Sequence, residues 1–328
     1  MRCINNRTFS LSISAVLLGS ILTGCGSTSY EMAYSPDYPV SSYRIAVSEE
    51  AVDTAAPFAA DLCVVDGDIV ADDLDLSRVS SAALFSLSAN ETILAKNVYE
   101  KLAPASLTKI MTALVALKYG SPDAVLTASA NVKITESGAQ TVGIKEGDQM
   151  TLTQALHLLL INSANDAAVM IAEGVGGSIE GFSELMNQEA KEIGATNSNF
   201  VNPHGLTADN HYVTAYDMYL IFNAALEYDL INEIISMPSY TTVYKDKNGN
   251  DKEISVNTTN LYLQGEKNAP DAITVIGGKT GTTNAAGHCL IILSRDSAGK
   301  PYISVILRAD DKDILYQDMT DLLSEIKN

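Results

Sequence analysis

The 328-residue chain carries 40 acidic against 21 basic residues, a net charge of −19, with 46% hydrophobic and 19% charged residues. That length allows one large domain or two small ones with a sizeable core, and the hydrophobic fraction is ordinary for a globular fold. So acidic a chain, with no basic stripe, is excluded as a nucleic-acid binder working through phosphate contacts.

The first 24 residues read as a secretory leader. Arg2 and Arg7 make its positive start, and Leu11 to Leu22 is an apolar stretch of about a dozen residues, short of the ~20 that a permanent spanning helix needs. It closes on Leu22-Thr23-Gly24-Cys25, which resembles the lipobox of bacterial lipoproteins, where cleavage precedes the cysteine and its thiol receives lipid. The alternative is a plain signal peptide with a chance cysteine. With Cys25 lipidated, the mature chain begins there and acyl chains hold it to a membrane. The leader removes two arginines and no acid, taking the charge from −19 to −21. Anionic headgroups repel such a chain, so its anchor has to be covalent.

Residues 25–57 are rich in Ser, Tyr, Ala, Pro and acids without a sustained period, and read as a tether. Roughly 30 flexible residues span about 30 Å end to end. The acidic run Asp66 to Asp75 lacks EF-hand spacing and reads as a solvated loop. A domain is expected over 58–328. Ala82, Leu84 and Leu87, then "TILAKN", suggest a β-hairpin. Pro104-Ala105-Ser106 opens a helix whose Leu107, Ile110, Met111 and Leu114 recur at helical spacing, stopped by Gly120 and Pro122. A helical subdomain is expected over about 120–235, with a capping box at Thr151 and Gln154. Strands follow: a hairpin about Asn248-Gly249, a type I′ signal, then "ITVIGGKTG", "HCLIILSRD" and "PYISVILRA". An amphipathic helix through Leu315, Met319 and Leu322 closes the chain. The two strand groups are expected to join into one antiparallel sheet with the helical block to one side. Cys63 and Cys289 are left either as a disulfide or as two buried thiols.

Three short motifs carry chemistry: Ser106-Leu-Thr-Lys109, Ser163-Ala-Asn165 and Lys279-Thr-Gly281. Residues i and i+3 share a helix face, so the Lys109 amine can lie beside the Ser106 hydroxyl. Serine needs a base to become a nucleophile, and lysine is one only when burial or another cation lowers its pKa. A serine at a helix N-terminus also places free N–H groups near a developing oxyanion. Ser163 offers a hydroxyl for proton relay and Asn165 an amide for substrate. Lys279 offers a carboxylate receptor, and Gly281 a close backbone approach. Each has a structural reading beside it: an N-cap for Ser106, a cap for Asn165 or Asp166, a solvated edge-strand cation for Lys279.

Together, in this order, the motifs resemble those of penicillin-recognising serine enzymes. The stretches "PASLTKIMTALVAL", "GDQMTLTQALHLLLINSANDAAVMIAE", "NSNFVNPHGLTADNHYVTAYDM" and "GGKTGTTNAAGHCLI" are similar to the low-molecular-mass D-alanyl-D-alanine carboxypeptidases, over most of residues 80 to 310. The resemblance implies an α+β fold, an α/β/α sandwich in which an antiparallel five-stranded sheet is flanked by N- and C-terminal helices and carries an inserted all-helical subdomain. It implies Ser106 as nucleophile, Lys109 as general base and Ser163 as proton relay. Asn165, Lys279, Thr280, Gly281 and Thr282 would bind substrate, with the Ser106 and Thr282 N–H groups as oxyanion hole. His204, in "NPHGL", would lie beside the site, where a loop-ordering role competes with a chemical one. The implied substrates are peptidoglycan stem peptides, the implied inhibitors β-lactams, and the implied location extracytoplasmic, facing the cell wall or periplasm. No metal or other cofactor is expected, since His157, His204, His211 and His288 form no zinc-type spacing.

The sequence departs from the family in carrying Ala164 where glycine or aspartate is frequent and Thr282 where relatives often have histidine. It ends at Asn328 after the closing helix, so a small β-domain and C-terminal anchor found in many relatives are expected to be absent. Two other readings remain. A class A β-lactamase needs a Glu-x-x-Leu-Asn loop, and the nearest stretch, Glu184 to Asn187, is one residue short and lies in a periodic helix. A non-catalytic lipoprotein that binds wall peptides or β-lactams would keep the same motifs.

Overall fold

The computed structural model describes residues 61–71 and 74–327. All belong to the second of two compact units, Pro57–Asn328. The leader, the Cys25 lipobox and the tether lie outside the described residues.

The first two strands, β1 (Val79–Ser86) and β2 (Glu91–Lys96), form the expected hairpin. Helix α1 (Thr108–Tyr119) follows, then the short strands β3 (Val125–Thr127) and β4 (Gln149–Thr151). Five helices come next: α2 (Leu152–Ile161), α3 (Asn165–Gly176), α4 (Ile179–Glu192), α5 (Ala215–Ala225) and α6 (Asp229–Ile235). The hairpin β5 (Ser239–Lys245) and β6 (Asp251–Asn257), the single turn α7 (Leu261–Gln264), strands β7 (Thr274–Thr283), β8 (Gly287–Arg295) and β9 (Pro301–Ala309), and helix α8 (Lys312–Ser324) complete the chain.

The main sheet is antiparallel, in the order β2-β1-β9-β8-β7, so the first strands lie beside the last. Period-2 alternation sorts its apolar residues into two layers. Ala82, Leu84, Ile292 and Ile306 face α8 through Leu315, Met319, Leu322 and Leu323. Ala83, Phe85, Ile291 and Val305 face the helical lobe. Both sides are covered, which is why these strands read as nearly continuous apolar runs. An N-terminal helix beside α8 is not found among the described residues; Leu76 and the α7 residues Leu261 and Tyr262 pack there instead.

Helix α1 is the axis of the lobe, buried from Thr108 to Ala116. Helix α2 begins at the expected capping box, with Thr151 Oγ1 accepting from Gln154 N at 3.1 Å and Gln154 Oε1 accepting from Thr151 N at 2.9 Å.

Three expectations need correction. The lobe is not wholly helical, because β3 and β4 pair with the β5–β6 hairpin in a second sheet of order β3-β4-β5-β6. That hairpin therefore does not join the main sheet. Its strands are too polar for a position covered on both faces: only Tyr244 and Val256 are fully buried among them. Its turn is also not type I′, which needs positive φ at both central residues. Gly249 has φ +82° and Asn248 does not share it. Gly249 N donates to Asp246 O at 2.9 Å and Asp246 N to Asn250 O at 2.8 Å, a type I turn followed by a left-handed glycine. Asp246 Oδ1 accepts from the N–H groups of Asn248 and Asn250, both at 2.8 Å, which stabilises this alternative. Asp296 and Gly299 repeat the arrangement between β8 and β9. Cys63 and Cys289 are separate buried thiols.

Candidate active site

Ser106 lies just outside α1. Ala105–Leu107 form one 3-10 turn ahead of it, and the N-cap position of α1 falls on Leu107, with no side-chain capping bond. The Ser106 hydroxyl is thus free of the capping duty that competes with a chemical one. Lys109 Nζ is 2.9 Å from Ser106 Oγ, 2.7 Å from Asn165 Oδ1 and 2.6 Å from the carbonyl oxygen of His204. Lys109 is fully buried, and burial, with the nearby Lys279 charge, pushes its pKa well below the usual lysine value against a smaller opposing pull from Asp166. A neutral amine has two N–H donors and one lone pair. The two carbonyl oxygens take both N–H groups, which leaves the lone pair for the Ser106 hydroxyl proton.

Two glycines let other segments reach this turn. A Cβ at Gly205 would stand 1.8 Å from Ala105 O, and one at Gly281 would stand 2.9 Å from Ser106 N. The "NPHGL" loop and the Lys-Thr-Gly strand therefore approach the nucleophile as bare backbone.

Ser163 holds a left-handed backbone, φ +66°, between α2 and α3. Its hydroxyl is buried and has no hydrogen-bond partner among the described residues, an arrangement that keeps a polar oxygen aside for another group. Asn165 and Asp166 do not cap α3; the N-cap is Ala164. Asp166 instead accepts from the N–H groups of Val142 (3.1 Å), Gly143 (2.8 Å) and Ile144 (3.0 Å). Asn165 N donates to Gln140 O at 2.8 Å. The start of α3 thus pins the 140–144 loop as one wall of a cleft.

The opposite wall is β7, an edge strand of the main sheet. Lys279 on it is only 1% exposed, so it is not a solvated edge cation. Its Nζ donates to Thr280 O at 2.9 Å, and burial pushes its pKa down to about 7. Thr280 Oγ1 lies 2.5 Å from Thr259 Oγ1, and Thr282 Oγ1 lies 3.2 Å from His288 Nδ1.

Between the walls runs a cleft of about 460 Å³, lined among others by Ser106, Ser163, Asn165, Thr280, Gly281 and Thr282. Lys109 and Lys279 lie buried behind it. His204 does not line it, although Gly205 and Leu206 do. Its Nδ1 accepts from Leu206 N at 3.1 Å, its carbonyl accepts from Lys109, and burial pushes its pKa down to about 3. That geometry is loop-ordering. Glu184 is exposed on α4 and absent from the cleft, while Asn187 ties α4 to Phe200 through its side-chain amide. Sequence reasoning did not find Thr259, the Asp166 clamp or His288. Thr259 sits in a polar "NTTN" run that carries no periodic signal, and Asp166 looked like an ordinary cap.

An antiparallel sheet packed on a helical lobe, with Ser-x-x-Lys at the start of the buried central helix, defines the DD-peptidase fold. The DD-transpeptidase of Streptomyces K15 superposes with a TM-score of 0.71 at 23% identity, over 78% of this chain and 98% of that one. Penicillin-binding protein D2 of Listeria monocytogenes, in its cefotaxime-bound form, superposes with a TM-score of 0.65 at 26% identity, over 78% and 99%. The Peptidase_S11 family, D-alanyl-D-alanine carboxypeptidase, matches residues 72–311, and the chain belongs to it. D-alanyl-D-alanine carboxypeptidase DacF of Bacillus subtilis is 36% identical over 219 residues, 65% of this chain and 53% of that protein. The chain thus spans about half the length of that curated relative.

Proposed function

We propose that this chain is a serine D-alanyl-D-alanine carboxypeptidase that removes the terminal D-alanine from peptidoglycan stem peptides through an acyl-enzyme on Ser106. The observation that carries this reading is the set of contacts at Lys109 Nζ, which among the described residues meets two carbonyl oxygens and the Ser106 hydroxyl. Ser106 Oγ attacks the carbonyl between the two D-alanines as Lys109 takes its proton. The backbone N–H groups of Ser106 and Thr282 hold the oxyanion, a stabilisation worth roughly 3 kcal/mol per donor. Ser163 passes a proton to the departing amine, and Asn165, already bonded to Lys109, orients the scissile peptide. Lys279, Thr280 and Thr282 receive the terminal carboxylate, and Gly281 admits the substrate backbone along the β7 edge. Water then releases the shortened peptide.

β-Lactams would acylate the same serine, in keeping with the cefotaxime complex of the Listeria relative. In this proposal residues 1–24 are a leader, 25–57 a tether from lipidated Cys25, and 58–328 the catalytic domain, facing the cell wall or periplasm. No helix among the described residues is long and apolar enough to cross a membrane; in this proposal the attachment is the lipid on Cys25. Cys25→Ala should move the protein from the membrane to the soluble extracytoplasmic fraction.

The test of the activity is D-alanine release from a diacyl-Lys-D-Ala-D-Ala peptide. Wild type should release it and Ser106→Ala should not; equal release by both would refute the mechanism. A penicilloyl adduct stable to mass spectrometry separates this reading from a β-lactamase, which would turn the adduct over. An adduct without D-alanine release would indicate a binding sensor.

A further inference from the structure

One buried histidine on the "NPHGL" side of the site has no place in the mechanism above. His211 is 6% exposed and closes the loop that begins at Asn199, where Asn199 and Tyr212 exchange backbone hydrogen bonds of 2.8 and 3.1 Å. Its ring reaches the nucleophile turn. Nε2 lies 2.9 Å from Thr108 Oγ1, and Thr108 Oγ1 lies 2.8 Å from Ala105 O. On the other side of the ring, Val201 N donates to Nδ1 at 3.1 Å.

The direction of these bonds follows from the donors available. A backbone N–H can only donate, so Nδ1 carries the lone pair. In the neutral ring Nε2 therefore carries the hydrogen and donates to Thr108 Oγ1. The threonine hydroxyl, with a donor on its oxygen, turns its own hydrogen onto the Ala105 carbonyl. Burial pushes the His211 pKa down to about 4, so the ring stays in this neutral form at physiological pH.

What the chain of bonds ends on is strained. Ala105 has φ +47°, in the left-handed region that L-residues with a Cβ rarely occupy because the Cβ crowds the backbone. It directly precedes Ser106, and its carbonyl is the atom against which Gly205 packs. A relaxed Ala105 would swing both the Ser106 N–H and its Oγ away from the cleft. Local strain of this kind persists only where neighbours over-determine it.

We propose that His211 is a positioning residue: acting through the Thr108 hydroxyl, it holds Ala105 left-handed and so aims Ser106 at the scissile carbonyl. It touches no reacting atom. The inference rests on Ser106 being the nucleophile, and the test keeps the two claims apart.

The experiment is stopped-flow acylation by a fluorescent penicillin, resolving the saturating acylation rate constant from the preceding non-covalent affinity. Ser106→Ala serves as the control, and no adduct should form on it. Thr108→Val, which keeps the shape and removes the hydroxyl, should slow acylation roughly 10- to 100-fold with little change in non-covalent affinity, the size expected of a misplaced reacting group. Thr108→Ser should restore the rate. His211→Leu should slow acylation as Thr108→Val does, and His211→Gln, whose amide N–H reaches the Nε2 position, should retain most of it. The double variant His211→Leu with Thr108→Val should be no slower than the worse single, because both cut one chain. Multiplying effects in the double variant, or wild-type acylation by Thr108→Val, would overturn the proposal while leaving Ser106 as nucleophile. An adduct on Ser106→Ala would instead overturn the underlying reading. Should His211→Leu fail to fold, the Thr108→Val and Thr108→Ser pair decides alone.

Discussion

Lys279 sits where a residue's chemistry and its stability pull in opposite directions. It is buried beside a second buried lysine, and among the described residues its ammonium donates to Thr280 O alone. Burial lowers its pKa from 10.5 to about 7. Between those values the unfolded chain binds a proton that the folded chain does not, so the penalty is absent above pH 10.5, grows as pH falls, and is full below about 7. Lys279→Met should therefore raise the unfolding midpoint by a few degrees at pH 7. Calorimetry should show that gain shrinking toward pH 10.5, while D-alanine release is lost. An unchanged or lower midpoint at pH 7 would show that the charge is compensated by partners this geometry does not contain. The residue types of this site were legible in the sequence, because Ser-x-x-Lys and Lys-Thr-Gly specify chemistry through spacing. Its electrostatics were not. Nothing in "GGKTG" says that a lobe from the middle of the chain covers that edge strand and turns a surface cation into a buried one.

At the scale of elements, the cleft depends on α3 reaching back to the loop before it. Asp166 satisfies the N–H groups of Val142, Gly143 and Ile144 with one carboxylate, and burial raises its pKa against those lowering bonds. Asp166→Ala leaves these donors unpaired and should cost about 2–4 kcal/mol of stability. Hydrogen exchange should show the 140–144 amides losing protection before those of α1, and acylation should slow with them. Retained protection would mean that Asn165 N to Gln140 O holds the wall unaided. Helices such as α1 and α2 could be read directly, since apolar periodicity and the Thr151–Gln154 box are local signals. The β5–β6 hairpin was visible as a hairpin but not in its sheet, because partner choice depends on β3 and β4, strands of three residues too short to carry a period. Its turn type was missed because Asp246 caps its own loop, a side-chain effect that outweighs the Asn-Gly preference.

Over the whole molecule, two neutral histidines couple the fold to acid. His204 and His211 have pKa values pushed down to about 3 and about 4 by burial, against 6.5 unfolded. Below pH 6.5 the unfolded chain takes up protons that the folded chain refuses, so stability should fall on acidification from 6.5 through the folded values. His211→Gln removes one such group. Its urea-unfolding free energy should lose less than wild type's between pH 6.5 and 5, and equal losses would indicate that the ring titrates normally in the fold. Joining of the first and last strands into one sheet was foreseeable from their apolar character. The packing of Leu76 and Tyr262 beside α8 on the far face was not, since both sit in stretches with no periodic signature.

The proposed mechanism rests on a neutral amine at residue 109 that takes the proton from the hydroxyl at 106. The direct measurement is the pH dependence of the saturating penicillin acylation rate constant, taken from the non-covalent complex. The rate should rise with pH through a single ionisation well below 10.5 and then stay level. A rate that climbs tenfold per unit up to the ordinary lysine range would show that Lys109 keeps its proton, and the mechanism would fail.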